Sequence, residues 1–148
     1  MLNNIPVVIR RIEQRTVSKE SALQQVQLTI HHIQSEITAG DQQRDLLLRH
    51  LSSLIIAGNT SLEAILDNKA RQGSLQRKVA EMELMLADKH HQLQQQCQQH
   101  ASLKAERIQM QRKSEKLAAH LRQRQKQQLQ CRQRQHETET EEQLNWQR

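Results

Sequence analysis

A chain of 148 residues with no Phe or Tyr, one Trp and 26 Gln lacks the aromatic area from which a layered globular core draws much of its buried surface. Apolar residues make up 35%, enough for a thin seam of Leu, Ile, Val and Met, and three Gly with one Pro leave few turns for a sheet fold. The formal net charge is +6, and nowhere do the roughly 20 apolar residues of a membrane span occur in a row, so direct membrane insertion is not expected.

Asn3 or Asn4 supplies a cap and Pro6 suits the first turn of a helix. The apolar run there is cut by Pro6, Arg10 and Arg11, which argues against a signal peptide, so the chain is read as cytoplasmic. From Ile5 a ladder in steps of four and three follows: Ile9, Ile12, Thr16, Lys19, Leu23, Val26, Ile30, Ile33, Ile37, Gly40, Arg44, Leu47, Leu51, Leu54. A mean step of about 3.5 residues keeps one seam turned toward a partner helix, which predicts a first coiled-coil arm over 5–57. Gly40 sits on that seam and is its expected soft spot.

Gly58 and Asn59 read as a helix stop, and Thr60 with Glu63 has the spacing of a capping box. They predict an apex over 58–74 holding a short helix at 61–70, ended by Gly73 and Ser74. A second ladder begins at Leu75 and continues through Val79, Met82, Leu86, Lys89, Leu93, Gln96, His100, Leu103, Arg107, Met110, Ser114, Leu117, Leu121 and Arg124. It predicts a second arm over 75–136, followed by an acidic tail at 137–148. The expected fold is all-α: a long two-helix antiparallel coiled-coil hairpin with a short helical segment at its apex, one elongated domain over 1–148.

Superposing the ladders with Leu54 against Leu75, Leu51 against Val79, Leu47 against Met82 and Ile37 against Leu93 gives position sums of 129 or 130, and sets Gly40 against Lys89. Two parallel copies in a homodimer use the same heptads. Polar rungs gather toward the chain termini, so the middle and apex are expected to pack better than the open end, and the last twenty-odd residues are left without a partner.

Charge is concentrated. Residues 104–134 hold ten basic side chains against Glu106 and Glu115, a net +8, so the remainder carries −2. Glu137, Glu139, Glu141 and Glu142 follow at once. This basic segment is either a solvated face or a docking surface for an acidic partner. It has no aromatic platforms for base stacking and no dense basic block ahead of a leucine seam, so nucleic acid is not the expected partner. Trp146 reads as a partner anchor or as plain exposure.

Chemistry of other kinds finds little to stand on. The pairs His31-His32 and His90-His91 diverge by about 100° on a helix, and Cys97 with His100 lacks a third ligand, so no metal is expected. Cys97 and Cys131 are too far apart on one helix to bridge and read as reduced thiols. No phosphate-cradling loop or nucleophile motif occurs, which predicts a non-enzyme without cofactors.

Three segments resemble a known family: Thr60-Ser61-Leu62-Glu63-Ala64-Ile65-Leu66, then Ser74-Leu75-Gln76-Arg77-Lys78-Val79-Ala80-Glu81-Met82-Glu83-Leu84, then the basic-to-acidic run from Arg132 to Glu142. A capped turn, an Arg/Lys-plus-Glu-Leu run and such an ending, in this order, are similar to the SpaM/InvI branch of the type III secretion stalk proteins, alongside the YscO and flagellar FliJ groups. The resemblance implies an antiparallel coiled coil that links the hexameric secretion ATPase to the cytoplasmic domain of the export gate, with secretion chaperones as further partners. It would lie in the cytoplasm, held to the membrane-bound apparatus by those partners. On this reading the ATPase meets Arg112, Lys113, Lys116, Arg122, Arg124, Lys126, Arg132 and Arg134, and the export gate meets Thr60, Leu62, Ile65 and Leu66. The alternatives are an export chaperone that binds cargo through an opened seam, and a generic scaffold coiled coil.

Overall fold

The computed structural model describes residues 4–56 and 61–147, apart from the side chains of 55 and 56. Two helices account for almost all of them: α1 (Ile5–Ile56) and α2 (Leu62–Trp146). The fold is an all-α helical hairpin, as the two ladders predict. Asn3, Gly58, Asn59 and Thr60, expected as caps and stop, lie outside the described residues.

Both seams are where the ladders put them. Every rung of the first, from Ile5 to Leu54, is buried or half-buried, and so is every rung of the second from Leu75 to Leu121. Arg124, the last rung expected, is exposed.

The chain divides into two units. One combines Met1–Ala22 with Leu103–Arg148, and the other is Leu23–Ser102. Among the described residues the second holds the fully buried apolar ones: Leu23, Val26, Ile33, Ile37, Leu75, Val79 and Leu86. In the first, seam positions are only half-buried. Its polar rung Thr16 is satisfied within α1, donating to the Ile12 carbonyl at 2.8 Å. The better-packed middle and looser terminal end therefore follow the polarity of the rungs.

The register differs from the expected one. In the Leu23–Ser102 unit Gly40 faces Leu86, not Lys89: a Cβ added at Gly40 would meet Leu86 Cδ2 at 2.7 Å. Leu86 closes a cluster with Ile33 and Ile37, against which Met82 and Leu93 pack. Lys89 turns instead to Glu36, with Nζ 2.6 Å from Oε2. The level of Gly40 and Leu86 has a position sum of 126, about half a heptad from the expected value. The reason is geometric. Away from this level α1 climbs by four, three and four residues while α2 descends by four, three and four, so the rungs meet with one constant sum. The sums of 129 and 130 alternate because they set a three-step against a four-step.

Gly73 does not interrupt α2, which runs unbroken from Leu62 through the expected break at Gly73 and Ser74. A glycine inside a helix costs about 1 kcal/mol, which the good helix formers around it tolerate. The short helix expected at 61–70 is thus the first part of α2. The tail beyond 136, expected as a free helix or a frayed end, is helix: the acidic run belongs to α2, and Thr138 and Thr140 donate to the carbonyls of Arg134 and His136. The two seam-side glycines should respond differently to substitution. A Cβ at Gly73 has nothing within 4 Å. Gly73→Ala should therefore raise stability by about 0.5–1 kcal/mol in thermal melts followed by circular dichroism.

Candidate partner-binding surfaces

The first candidate surface is the end of α2. From Arg122 to Gln147 every residue is exposed. The register sets Ile5 level with Leu121, and among the described residues no rung of α1 faces α2 beyond that level. Arg112, Lys113 and Lys116 are exposed on the stretch where Ser114, Leu117 and Leu121 still contact the seam, whereas Arg122, Arg124, Lys126, Arg132 and Arg134 lie beyond it. Successive residues of a helix turn by about 100°, so those five, spaced by two, two, six and two, point in five directions around the axis. The basic segment is a sleeve around the helix rather than the one-sided stripe its clustering suggests.

Past the sleeve come Glu137, Glu139, Glu141 and Glu142, all exposed. Leu129 and Leu144 are each 60% exposed and Trp146 is 89% exposed. Trp146 flanks a shallow groove with Glu139, Glu142 and Gln143.

The second candidate surface opens α2. Ser61 is its cap: the Ala64 amide donates to Ser61 Oγ at 3.2 Å, and the Ile65 amide donates to the Ser61 carbonyl at 3.1 Å. The capping box expected from Thr60 to Glu63 rests on a residue outside the described ones, and Ser61, one position on, was not singled out as a cap. Asn68 Nδ2 donates to the Leu54 carbonyl at 3.0 Å, tying the first turns of α2 to α1. Leu62, Ile65 and Leu66 are left outward, at 74%, 40% and 59% exposure, and form an apolar patch on the helix start.

A third group was not foreseen. In the Leu23–Ser102 unit the Glu36 carboxylate receives Lys89 on Oε2 and His32 Nε2 on Oε1 at 3.0 Å. In the other unit Lys19 Nζ reaches Glu106 Oε2 at 2.6 Å. Both cross-helix pairs have a position sum of 125, a shared value that the sequence displays and that would have pointed to the observed register.

The hydrogen bond from Lys89, helped by the charges of Lys89 and His32 against the cost of desolvation, holds the Glu36 carboxyl below the usual carboxylate range. A carboxyl depressed in the folded state contributes stability that is present above its unfolded value and is lost as pH falls through the folded one. The melting temperature should therefore decline on acidification partly through Glu36. Glu36→Gln should show a shallower decline at the acid end when melts are repeated from neutral pH downward.

Among the described residues no group of three or more His, Cys, Asp or Glu is placed to hold a metal ion. Cys97 and Cys131 are both free and exposed. No helix is long and apolar enough to cross a membrane.

Two antiparallel helices with a thin seam, carrying charged and apolar surfaces at the helix ends, define the class: an all-α helical hairpin. Over residues 3–144 the sequence matches the family described as Salmonella surface presentation of antigen gene type M protein, so the chain belongs to that type III secretion family. No curated protein and no solved structure matches it.

Proposed function

We propose that this protein is a central-stalk component of a type III secretion apparatus, linking the hexameric secretion ATPase to the export gate without hydrolysing ATP itself. The observation that carries this reading is the sleeve of Arg122, Arg124, Lys126, Arg132 and Arg134 on a helix exposed on all sides. A flat acidic surface would engage two or three of these residues at once. A partner that surrounds the helix engages all of them, and a ring-shaped hexamer is such a partner. Arg112, Lys113 and Lys116 extend the basic surface toward the seam. At the start of α2, the apolar patch of Leu62, Ile65 and Leu66, with Thr60 beside it in sequence, supplies the contact for the export gate's cytoplasmic domain. Secretion chaperones are the further partners of this reading.

A chain ending at Leu121 keeps every seam rung and loses the exposed end. It should keep the helical signal of the hairpin per residue yet lose binding to the purified secretion ATPase, measured by co-sedimentation beside the full-length protein. Retained binding would refute the docking of this end.

A further inference from the structure

The apolar seam alone does not select the observed register. In the Leu23–Ser102 unit, extending the level of Gly40 and Leu86 along both ladders sets Ile33 opposite Leu93, Leu47 opposite Val79 and Leu51 opposite Leu75, three levels that are apolar on both sides. A shift of half a heptad sets Ile37 opposite Leu93, Leu47 opposite Met82, Leu51 opposite Val79 and Leu54 opposite Leu75, which makes four. Counted by apolar levels alone the two arrangements are close to equal, and the unobserved one is slightly richer; against it stands its alternation of three-steps with four-steps, where the observed register keeps one constant sum.

Two specific contacts add to the preference for the observed one. Leu86, only 4% exposed, occupies the hollow that Gly40 leaves, and an added Cβ there would stand 2.7 Å from it. Lys89 is drawn to Glu36 at 2.6 Å. After the shift Leu86 would face Arg44, and Lys89 would face Gly40, with Asp41 beside it as a new carboxylate. Asp41 now accepts Arg44 at 3.5 Å, so it is already placed toward a cation. The shifted register thus loses one steric fit and exchanges one ion pair for another.

We infer that α1 and α2 of this unit have two registers, about half a heptad or 5 Å apart along the helices, and that the Gly40–Leu86 seat together with the Glu36–Lys89 pair acts as a latch for the one observed. A helix pair with two nearly equal registers converts a pull on one helix into a discrete step relative to the other. Any partner that grips the helices differently in the two registers shifts their populations. The two registers are a property of the chain by itself and do not depend on the docking reading above.

Cysteine pairs in a Cys97→Ser, Cys131→Ser chain distinguish the registers, because a disulfide closes only where the Cα atoms come within about 7 Å. Leu51→Cys with Leu75→Cys reports the observed register, and Leu51→Cys with Val79→Cys the shifted one. Under mild oxidation both pairs should close within one chain, the first in higher yield. Glu36→Gln, and separately Gly40→Leu, should raise the yield of the Val79 pair relative to the Leu75 pair, by about threefold to fivefold for the loss of the ion pair alone. Circular dichroism verifies that each variant remains helical, and Glu36→Gln keeps the test open should Gly40→Leu unfold. A Leu75 pair that closes while the Val79 pair stays open in every background would overturn the proposal.

Discussion

Leu86→Ala should lower the unfolding free energy by about 2–3 kcal/mol, near the lower end of the range for buried leucines, because Met82 and Leu93 can partly collapse into the space. Leu86 has the lowest exposure of the apolar core at 4%, and it joins three supports: Ile33, Ile37 and the hollow at Gly40. A protein whose core is one seam has few such points, and a loss of this size is a large fraction of the 5–15 kcal/mol that holds an ordinary domain together. Leu84 is the control two residues away, on the outside of the same helix at 73% exposure. Leu84→Ala should change stability by no more than about 0.5 kcal/mol. Urea titrations of the two variants, read by helicity, make the comparison. Equal midpoints would mean that the cluster around Leu86 does not anchor the seam.

The ladders made the fold legible because a seam of period 3.5 is a property of single helices, visible in one sequence whatever its partner. Burial follows it rung by rung, including the polar rungs Thr16, Lys19 and Arg107. Register was less legible, since any apolar ladder matches any other after a short slide. What selects it is the matching of step to step along the two ladders, joined by a missing side chain at Gly40 and the opposite charges of Glu36 and Lys89. Gly73 misled for a related reason. Glycine punctuates helices by propensity, yet within an 85-residue helix a local cost of about 1 kcal/mol is outweighed by its continuation on both sides. At the candidate surfaces the charge count located the basic residues and the ladders already left Lys126, Arg132 and Arg134 without a partner; the end of burial at Leu121 adds Arg122 and Arg124 to them.

Reversing three charges in that sleeve, with Arg122→Glu, Arg124→Glu and Lys126→Glu together, should weaken binding to the secretion ATPase by about tenfold to a hundredfold at low salt, since each exposed pair is worth up to about 1 kcal/mol and reversal replaces attraction with repulsion. All three side chains are exposed and outside the seam, so the hairpin's own melt should be unaffected. Salt separates this effect from a folding defect: at a Debye length of about 3 Å in 1 M salt the difference between the variant and the parent chain should largely vanish, whereas a misfolded variant stays weak throughout. A matched reversal of Arg71, Arg77 and Lys78, which are exposed on α2 in the Leu23–Ser102 unit, provides the comparison at equal lost charge. If both reversals weakened binding alike, the attraction would be one of net charge. A loss confined to Arg122, Arg124 and Lys126 would place the ATPase at the end of α2, where the helix has outrun its partner and every side of it is open.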